Sequence, residues 1–263
     1  MNGEFSFPEI TLLVTHYNRS SSLERLLSAF QKLGCRFGDI VVSDDGSKQE
    51  HLDKIKTLQP VYNFRLITTP KNKGLGNNIN KGQDAVKTKY TLYVQEDFEP
   101  SSIFPAHLPD ALQFMNERDD LDIIRFYAYF RYPTTKPYGK GFSEMVYNPW
   151  NLNNIKFYVY SDHPHLRRSN FLEKFSHYAE GLNVNVTEYR MAISFLRKGG
   201  KGLFYDDFTQ LFYQKNTSAE PSTFYRPDWK QSKNIFIRSL RSIYVKFKLI
   251  KCTWDLKFMK LEN

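Results

Sequence analysis

The chain has 263 residues, 41% hydrophobic and 16% aromatic, and carries a formal net charge of +9. That composition supports a folded core, in one large α/β domain or two small ones, and excludes a disordered chain. It holds no run of eighteen apolar residues that would make a membrane-spanning helix, and residues 1–9 lack the basic and apolar regions of a secretory leader.

Residues 10–15 (ITLLVT) are continuously apolar and β-branched, the pattern of a buried parallel strand. A loop through Asn18 leads to a helix predicted over 21–33. Ser21 and Glu24 are spaced there as a capping box, and Leu23, Leu26, Leu27 and Phe30 form an apolar stripe. Residues 39–43 (DIVVS) read as a second buried strand, running into Asp44, Asp45, Gly46 and Ser47. Leu52, Ile55 and Leu58 mark a helix, and residues 64–68 a third strand. Residues 71–82 (KNKGLGNNINKG) form a polar, glycine-rich loop that enters a helix near Asn77. Residues 91–94 are the fourth strand, which ends in an acidic turn of Glu96, Asp97 and Glu99 closed by Pro100.

A helix over 107–115 and a strand over 123–129 come next, then an irregular Tyr-, Pro-, Asn- and Gly-rich stretch at 131–160. Residues 161–169 (SDHPHLRRS) lead into a short helix over 170–175. A helix over 187–198, stopped by Gly199 and Gly200, and strands at 202–205 and near 211–213 complete the body. Cys35 and Cys252 stand far apart in no metal-binding spacing, which fits two structural thiols in a reducing cytoplasm. The sequons at Asn185 and Asn216 carry little weight in that compartment.

Strands alternating with helices at this spacing predict βαβ units in a parallel sheet. The loops after strands one, two and four carry Asn18, the Asp44–Asp45 pair and the Glu96–Asp97 pair, all at one edge of the sheet. Open α/β sheets bind ligands in the crevice outside the carboxyl ends of their strands. Hard oxygen ligands clustered there suit Mg²⁺ or Mn²⁺, and such an ion suits a diphosphate. Taken alone, the acidic turn reads more readily as solvated surface.

Other motifs decide less. Gly74 and Gly76 follow the third strand and lack the last glycine of a dinucleotide fingerprint. His163 and His165 are only a two-histidine fragment. Arg167 and Arg168 read either as forks for a diphosphate or as a surface pair before a helix. Residues 230–263 hold nine Lys and Arg against Asp255 and Glu262, while the rest of the chain is close to neutral. In that tail Phe236, Leu240, Ile243, Phe247 and Ile250 fall on one helical stripe, with Arg238, Arg241, Lys248 and Lys251 mainly opposite. A basic amphipathic helix of this kind either lies on an anionic membrane surface or docks on the body by the same stripe. No nucleic-acid motif accompanies the charge.

Five stretches, in this order, resemble glycosyltransferase family 2: residues 14–18 (VTHYN), 41–47 (VVSDDGS), 72–74 and 80–82 (NKG twice), 93–100 (YVQEDFEP), and 187–192 (TEYRMA) followed by Gly199. The resemblance covers residues 8–215. It implies a GT-A fold, a Rossmann-like nucleotide-diphospho-sugar transferase fold with a mostly parallel central sheet and flanking helices. It also implies inverting transfer of a sugar from a nucleotide donor. On that footing the GT-A domain spans 1–228, with a nucleotide-sugar-binding half at 1–104 and an acceptor and catalytic half at 105–228; 229–263 is the basic amphipathic tail.

Carried over by position, Asp45 would bond the nucleobase, with Asp44 beside it, and Thr15, Tyr17 and Asn18 would lie along the nucleoside. Asn72, Gly74 and Asn80 match the family's third-loop anchors. Asp97 would ligate Mn²⁺ or Mg²⁺ on the donor diphosphate, with Glu96 beside it and Arg168 as a further phosphate contact. Glu188 would be the general base. Three positions depart from the family pattern: Gln95 replaces the first metal-motif carboxylate, Ile79 a common arginine, and Tyr189 the Asp that usually follows the catalytic acid. The expectation is a cytoplasmic enzyme, peripheral at the inner face of the membrane. It would extend a surface polysaccharide or a lipid-linked glycan, with residues 131–160 as the acceptor wall and no nucleic-acid partner. The alternative is a catalytically inactive GT-A domain that binds a nucleotide sugar or glycan.

Overall fold

A computed structural model of the chain describes residues 4–218, 220 and 235–260. The apolar run at 10–15 lies inside a twelve-residue strand, β1 (Phe5–His16), followed by α1 (Ser20–Lys32), β2 (Cys35–Asp44), α2 (Gln49–Tyr62) and β3 (Arg65–Ile67). Next come α3 (Leu75–Asp84), β4 (Tyr90–Gln95), β5 (Phe98–Pro100), α4 (Phe104–Glu117), β6 (Ile123–Arg125) and the hairpin β7 (Thr135–Gly139) and β8 (Phe142–Met145). A single 3-10 turn (Asn154–Phe157) precedes β9 (His165–Arg168), α5 (Phe171–Phe175), α6 (Val184–Arg197), β10 (Gly202–Tyr205), β11 (Phe212–Gln214) and α7 (Ile235–Phe258).

Nine strands form one sheet in the order β3-β2-β1-β4-β9-β6-β10-β8-β7, while β5 and β11 pair separately. The β3-β2-β1-β4 stretch is parallel, as the βαβ pattern predicts, and β6 pairs parallel with β10. Strands from both predicted halves of the domain share this sheet. Side chains alternate between its faces. Leu12 and Val14 pack with Leu23, Leu26, Leu27 and Phe30 on one side, and Leu13 and Val41 with Ile79, Tyr93 and Phe195 on the other. Each such buried side chain contributes about 1.5–3 kcal/mol relative to exposure.

Four local expectations need correction. Residues 165–168, read as part of a loop, are a strand running antiparallel to both β4 and β6. Its histidine and arginines hid it, because their burial depends on partners far away in sequence. The strand predicted over 123–129 leaves the ladder after Arg125, as Phe126 N–H donates to Pro164 O (3.0 Å) and Ala128 N–H to Phe208 O (3.1 Å). The stretch at 131–160 contains the β7–β8 hairpin. The Ser21–Glu24 capping box does not form; Glu220 supplies the cap instead, accepting from Ser21 N–H at 2.9 Å and Ser22 N–H at 2.8 Å.

The tail helix α7 docks on the body, by a different stripe from the one predicted. Leu249, Cys252, Leu256 and Met259 pack with Phe157, Ile193, Tyr158 and Tyr189, and Tyr189 OH donates to Asp255 Oδ2 at 2.7 Å. Phe247 and Ile250 of the predicted stripe are exposed, in line with Trp254 and Phe258. Phe236, Leu240 and Ile243 lie outside the residues whose side chains are described. No described helix is long and apolar enough to cross a membrane.

Candidate active site

The loops after β1 and β2 are bound to each other at the carboxyl edge of the sheet. His16 Nδ1 lies 2.8 Å from Asp44 Oδ1 while Arg19 N–H donates to His16 Nε2 at 3.0 Å, which places the ring proton on Nδ1. Asp44 is fully buried and also accepts from Ser47 N–H (3.1 Å), Ser47 Oγ and Thr68 Oγ1 (2.7 Å). Burial pushes its carboxyl up, but the bonds from His16, Ser47 and Thr68 outweigh it and hold the group well below the usual range. Asn18 adopts a left-handed φ of +52°, its N–H donating to Ser47 Oγ and its Oδ1 accepting from Lys48 N–H, both at 2.8 Å. Asn18 and Asp44 therefore brace the loops, and neither is among the residues lining the cleft.

Asp45 reaches the glycine-rich loop before α3. Its Oδ1 accepts from Lys73 N–H at 2.8 Å and its Oδ2 from Gly74 N–H at 2.9 Å, with Asn72 Oδ1 also accepting from Gly74 N–H at 3.2 Å. Burial raises the Asp45 pKa, opposed by those two N–H bonds and the nearby Lys81. Gly46 makes the approach possible. Its φ is +67°, and a Cβ there would stand 2.4 Å from the Lys71 carbonyl carbon.

The β4 turn completes this wall. Arg19 Nη1 lies 3.8 Å from Glu96 Oε1 and 3.4 Å from Asp97 Oδ2, and Gln214 Nε2 donates to Asp97 Oδ2 at 2.8 Å. Burial and then the adjacent Asp97 push Glu96 up to about 8, against the lowering influence of Arg19. Arg19 is itself fixed, donating to Asn216 Oδ1 (2.7 Å) and Glu220 O (3.1 Å). Among the described residues no three His, Cys, Asp or Glu side chains form a group that could hold a metal. Two carboxylates at the edge of a cleft fit an ion shared with a ligand's phosphate oxygens, and not a protein-only cage.

Helix α6 brings Glu188, in its second turn, to the same cleft. Glu188 Oε1 accepts from Ser161 Oγ at 2.7 Å and from Asp162 N–H at 3.2 Å. The cleft between the walls has a volume of about 380 Å³, within the range of small-molecule sites. Thr15, Tyr17, Asp45, Asn72, Gly74, Glu96, Asp97 and Glu188 line it, as the sequence analysis expects, and so do Arg19, Gln95, Asp162, His163 and Gln214. Arg19 and Asp162 carried only weak signals, standing beside the Asn18 loop and the His163–His165 fragment.

Besides Asn18 and Asp44, two further expected ligand contacts, Arg168 and Asn80, lie outside the cleft. Arg168 donates to the carbonyls of Leu121 (2.9 Å), Met115 and Arg118 (2.8 Å each), and so ties β9 to the end of α4. Asn80 clamps the segment before α6, donating to Tyr178 O and Glu180 Oε1 at 3.0 Å and accepting from Tyr178 N–H at 2.9 Å. Arg167, the other half of the pair, is fully buried and donates to Gln83 Oε1 and Tyr178 OH.

Known proteins share this fold. The chain superposes on residues 1–349 of S. aureus TarS in complex with UDP-GlcNAc at a TM-score of 0.61 and 18% identity, covering 90% of this chain and 66% of that one. It superposes on the mannosyltransferase PcManGT of Pyrobaculum calidifontis, in complex with GDP-Man and Mn²⁺, at a TM-score of 0.57 and 12% identity, covering 96% and 72%. Over 124 residues it is 23% identical to the cholesterol galactosyltransferase of Borreliella burgdorferi, which covers 46% of this chain and 34% of that protein. The chain thus spans about a third of that relative and two thirds of the TarS fragment. The family model for glycosyl transferase family 2 matches residues 11–179, well over half of the chain. On that match, carried by a GT-A fold, the chain belongs to glycosyl transferase family 2.

Proposed function

We propose that the protein transfers a sugar from a nucleoside-diphosphate sugar to a hydroxyl of a glycan or lipid-linked acceptor, with inversion at the anomeric carbon. The observation that carries this is one cleft lined together by Asp45, the 72–74 loop, the acidic turn and Glu188. Asp45 and the 72–74 loop would seat the nucleoside. Glu188 would take the proton of the acceptor hydroxyl as its oxygen bonds the anomeric carbon from the face opposite the diphosphate. The bond to the diphosphate breaks, and its electron pair leaves with the nucleotide. Asp97, with Glu96, would hold Mg²⁺ or Mn²⁺ shared with the donor, and such an ion neutralises leaving-group charge. Arg19 balances the same two carboxylates in the free protein.

A lipid-type acceptor draws support from the cholesterol galactosyltransferase relative and from α7. Phe247, Ile250, Trp254 and Phe258 are exposed there, with Lys246, Lys251 and Lys257 exposed on the same helix. Aromatic and basic groups together suit an anionic lipid surface. Peripheral attachment at the cytoplasmic face and a role in surface polysaccharide synthesis complete this reading. Gln95 and Tyr189, which replace two family acids, favour the second reading of a binding domain without turnover.

Calorimetric titration of UDP, GDP and dTDP with and without Mn²⁺, on wild type and Asp97→Ala, tests the proposal. Binding of one nucleotide, strengthened by Mn²⁺ and weakened in the variant, is expected. No binding of any of the three refutes it. Binding with no release of nucleotide from the matching sugar donor selects the inactive domain.

A further inference from the structure

The cleft contains a second carboxyl that the family resemblance does not predict. Asp162, from the loop before β9, lines the cleft with a residue exposure of only 4%. Its Oδ1 accepts from Tyr160 OH, whereas its Oδ2 is buried with no hydrogen-bond partner among the described residues. An unpaired buried carboxylate oxygen is costly, on the order of 1–3 kcal/mol or more, and such groups concentrate where a ligand completes them.

Its position is tightly set. Tyr160 OH contacts Tyr178 OH, which accepts from Arg167 Nη1 at 2.8 Å, and Arg167 is held by Gln83 Oε1 at 2.7 and 3.0 Å. The Asp162 N–H donates to Glu188 Oε1, so the two carboxyls are neighbours supplied by different elements. Tyr189, at the position where the family has its second acid, turns instead toward Asp255 of α7.

We propose that Asp162 is a second catalytic carboxyl, whose Oδ2 contacts the acceptor hydroxyl and which forms, with Glu188, the pair that receives its proton. This rests on the transferase reading above. The acceptor O–H bond breaks, its oxygen bonds the anomeric carbon, the nucleoside diphosphate departs with the electron pair, and the proton stays on the pair. Burial and then the charge of Glu188 push Asp162 up to about 8, against Tyr160 and Arg167; a base is most efficient with a pKa near its working pH. Tyr160 and Tyr178 also face it, as does Tyr93 from β4.

The test uses the full chain, with water as acceptor and release of UDP or GDP from UDP-galactose, UDP-N-acetylglucosamine and GDP-mannose as the readout. Asp162→Asn keeps an acceptor for Tyr160. It is expected to retain nucleotide affinity within about twofold and to lose about 100-fold or more in kcat. Asp162→Gly is expected to regain turnover on addition of formate, which a purely structural role would not produce. A wild type that turns over together with an Asp162→Asn variant within about threefold of it overturns the assignment and leaves the transferase reading intact. So does an inactive Asp162→Gly that binds nucleotide but gains nothing from formate. A wild type that releases no nucleotide from any donor overturns both.

Discussion

Glu220 offers a demanding test, because a residue from far along the chain both completes a helix terminus and holds Arg19 of the cleft. Its Oε1 accepts from Ser21 N–H at 2.9 Å, and its Oε2 accepts from Ser22 N–H at 2.8 Å and Ser22 Oγ at 2.6 Å. The side chain belongs to a residue 7% exposed, and α1 has no other side-chain cap. Hydrogen bonds to charged groups are worth about 1.5–3 kcal/mol each, but water reaches a vacated helix end, and loss of an N-cap costs about 0.5–2 kcal/mol. Adding the helix dipole, about 0.3–1 kcal/mol, Glu220→Ala should destabilise the fold by about 1–3 kcal/mol.

Burial raises the Glu220 carboxyl, but the bonds from Ser22 and Ser21 and the charge of Arg19 outweigh it, so the folded pKa lies below the ordinary glutamate value. A carboxyl depressed in this way stabilises fully above its unfolded pKa and loses that contribution as pH falls through the folded one. Urea denaturation of wild type and Glu220→Ala should therefore show the full gap at about pH 7 and a shrinking one below about pH 4. A gap under about 0.5 kcal/mol at neutral pH, or one unchanged in acid, would refute the reasoning. Nucleotide binding should weaken as well, because the lost carboxylate interacts with Arg19, which lines the cleft.

Other outcomes follow from the same geometry. Glu188→Gln should keep nucleotide affinity and lower transfer by about 10²–10⁴-fold, and unchanged turnover would remove it from the mechanism. Asp45→Ala frees the 72–74 loop and should raise the nucleotide Kd about tenfold or more in calorimetry; an unaltered Kd would make that tether irrelevant to the donor. Since Arg19 already balances Glu96 and Asp97, Mn²⁺ alone should bind weakly and gain affinity only with nucleotide present; tight binding of the ion alone would contradict the shared site. Trp254→Ser with Phe258→Ser should leave Tm unchanged while reducing binding to anionic vesicles. Cys252→Asp, at a position 1% exposed, should lower stability by about 2 kcal/mol or more in urea denaturation.

One wall of the cleft was legible because buried parallel strands read as continuous apolar runs, and the acids at their carboxyl ends land together once the sheet forms. Asp45 and Asp97 reached the cleft on that logic, whereas Glu188, on α6, was read only from the family resemblance. Composition could not show which polar residues turn inward for structure. Asp44 is used up by His16, Ser47 and Thr68, Asn80 by Tyr178 and Glu180, and Arg168 by three carbonyls. Strand β9 was hidden for the same reason, since Arg167 looks like surface until Gln83 and Tyr178 are beside it. Arg19 and Asp162 have roles set by contacts with residues distant in sequence, which spacing does not encode. The predicted cap at Ser21 lost to a carboxylate 199 positions away.

Helix α6 has a divided allegiance. Glu188 projects into the cleft, while the next residue, Tyr189, is bonded to Asp255, and Arg190 donates to Lys260 O at 2.9 Å. Glu188, the proposed base, and the anchorage of α7 are thus adjacent rungs of one helix. If a load on α7 shifts Glu188, then by thermodynamic reciprocity a ligand that fixes Glu188 steadies α7 to the same degree. Helix α6 is thus an element through which the cleft and the outer face of α7 can be linked.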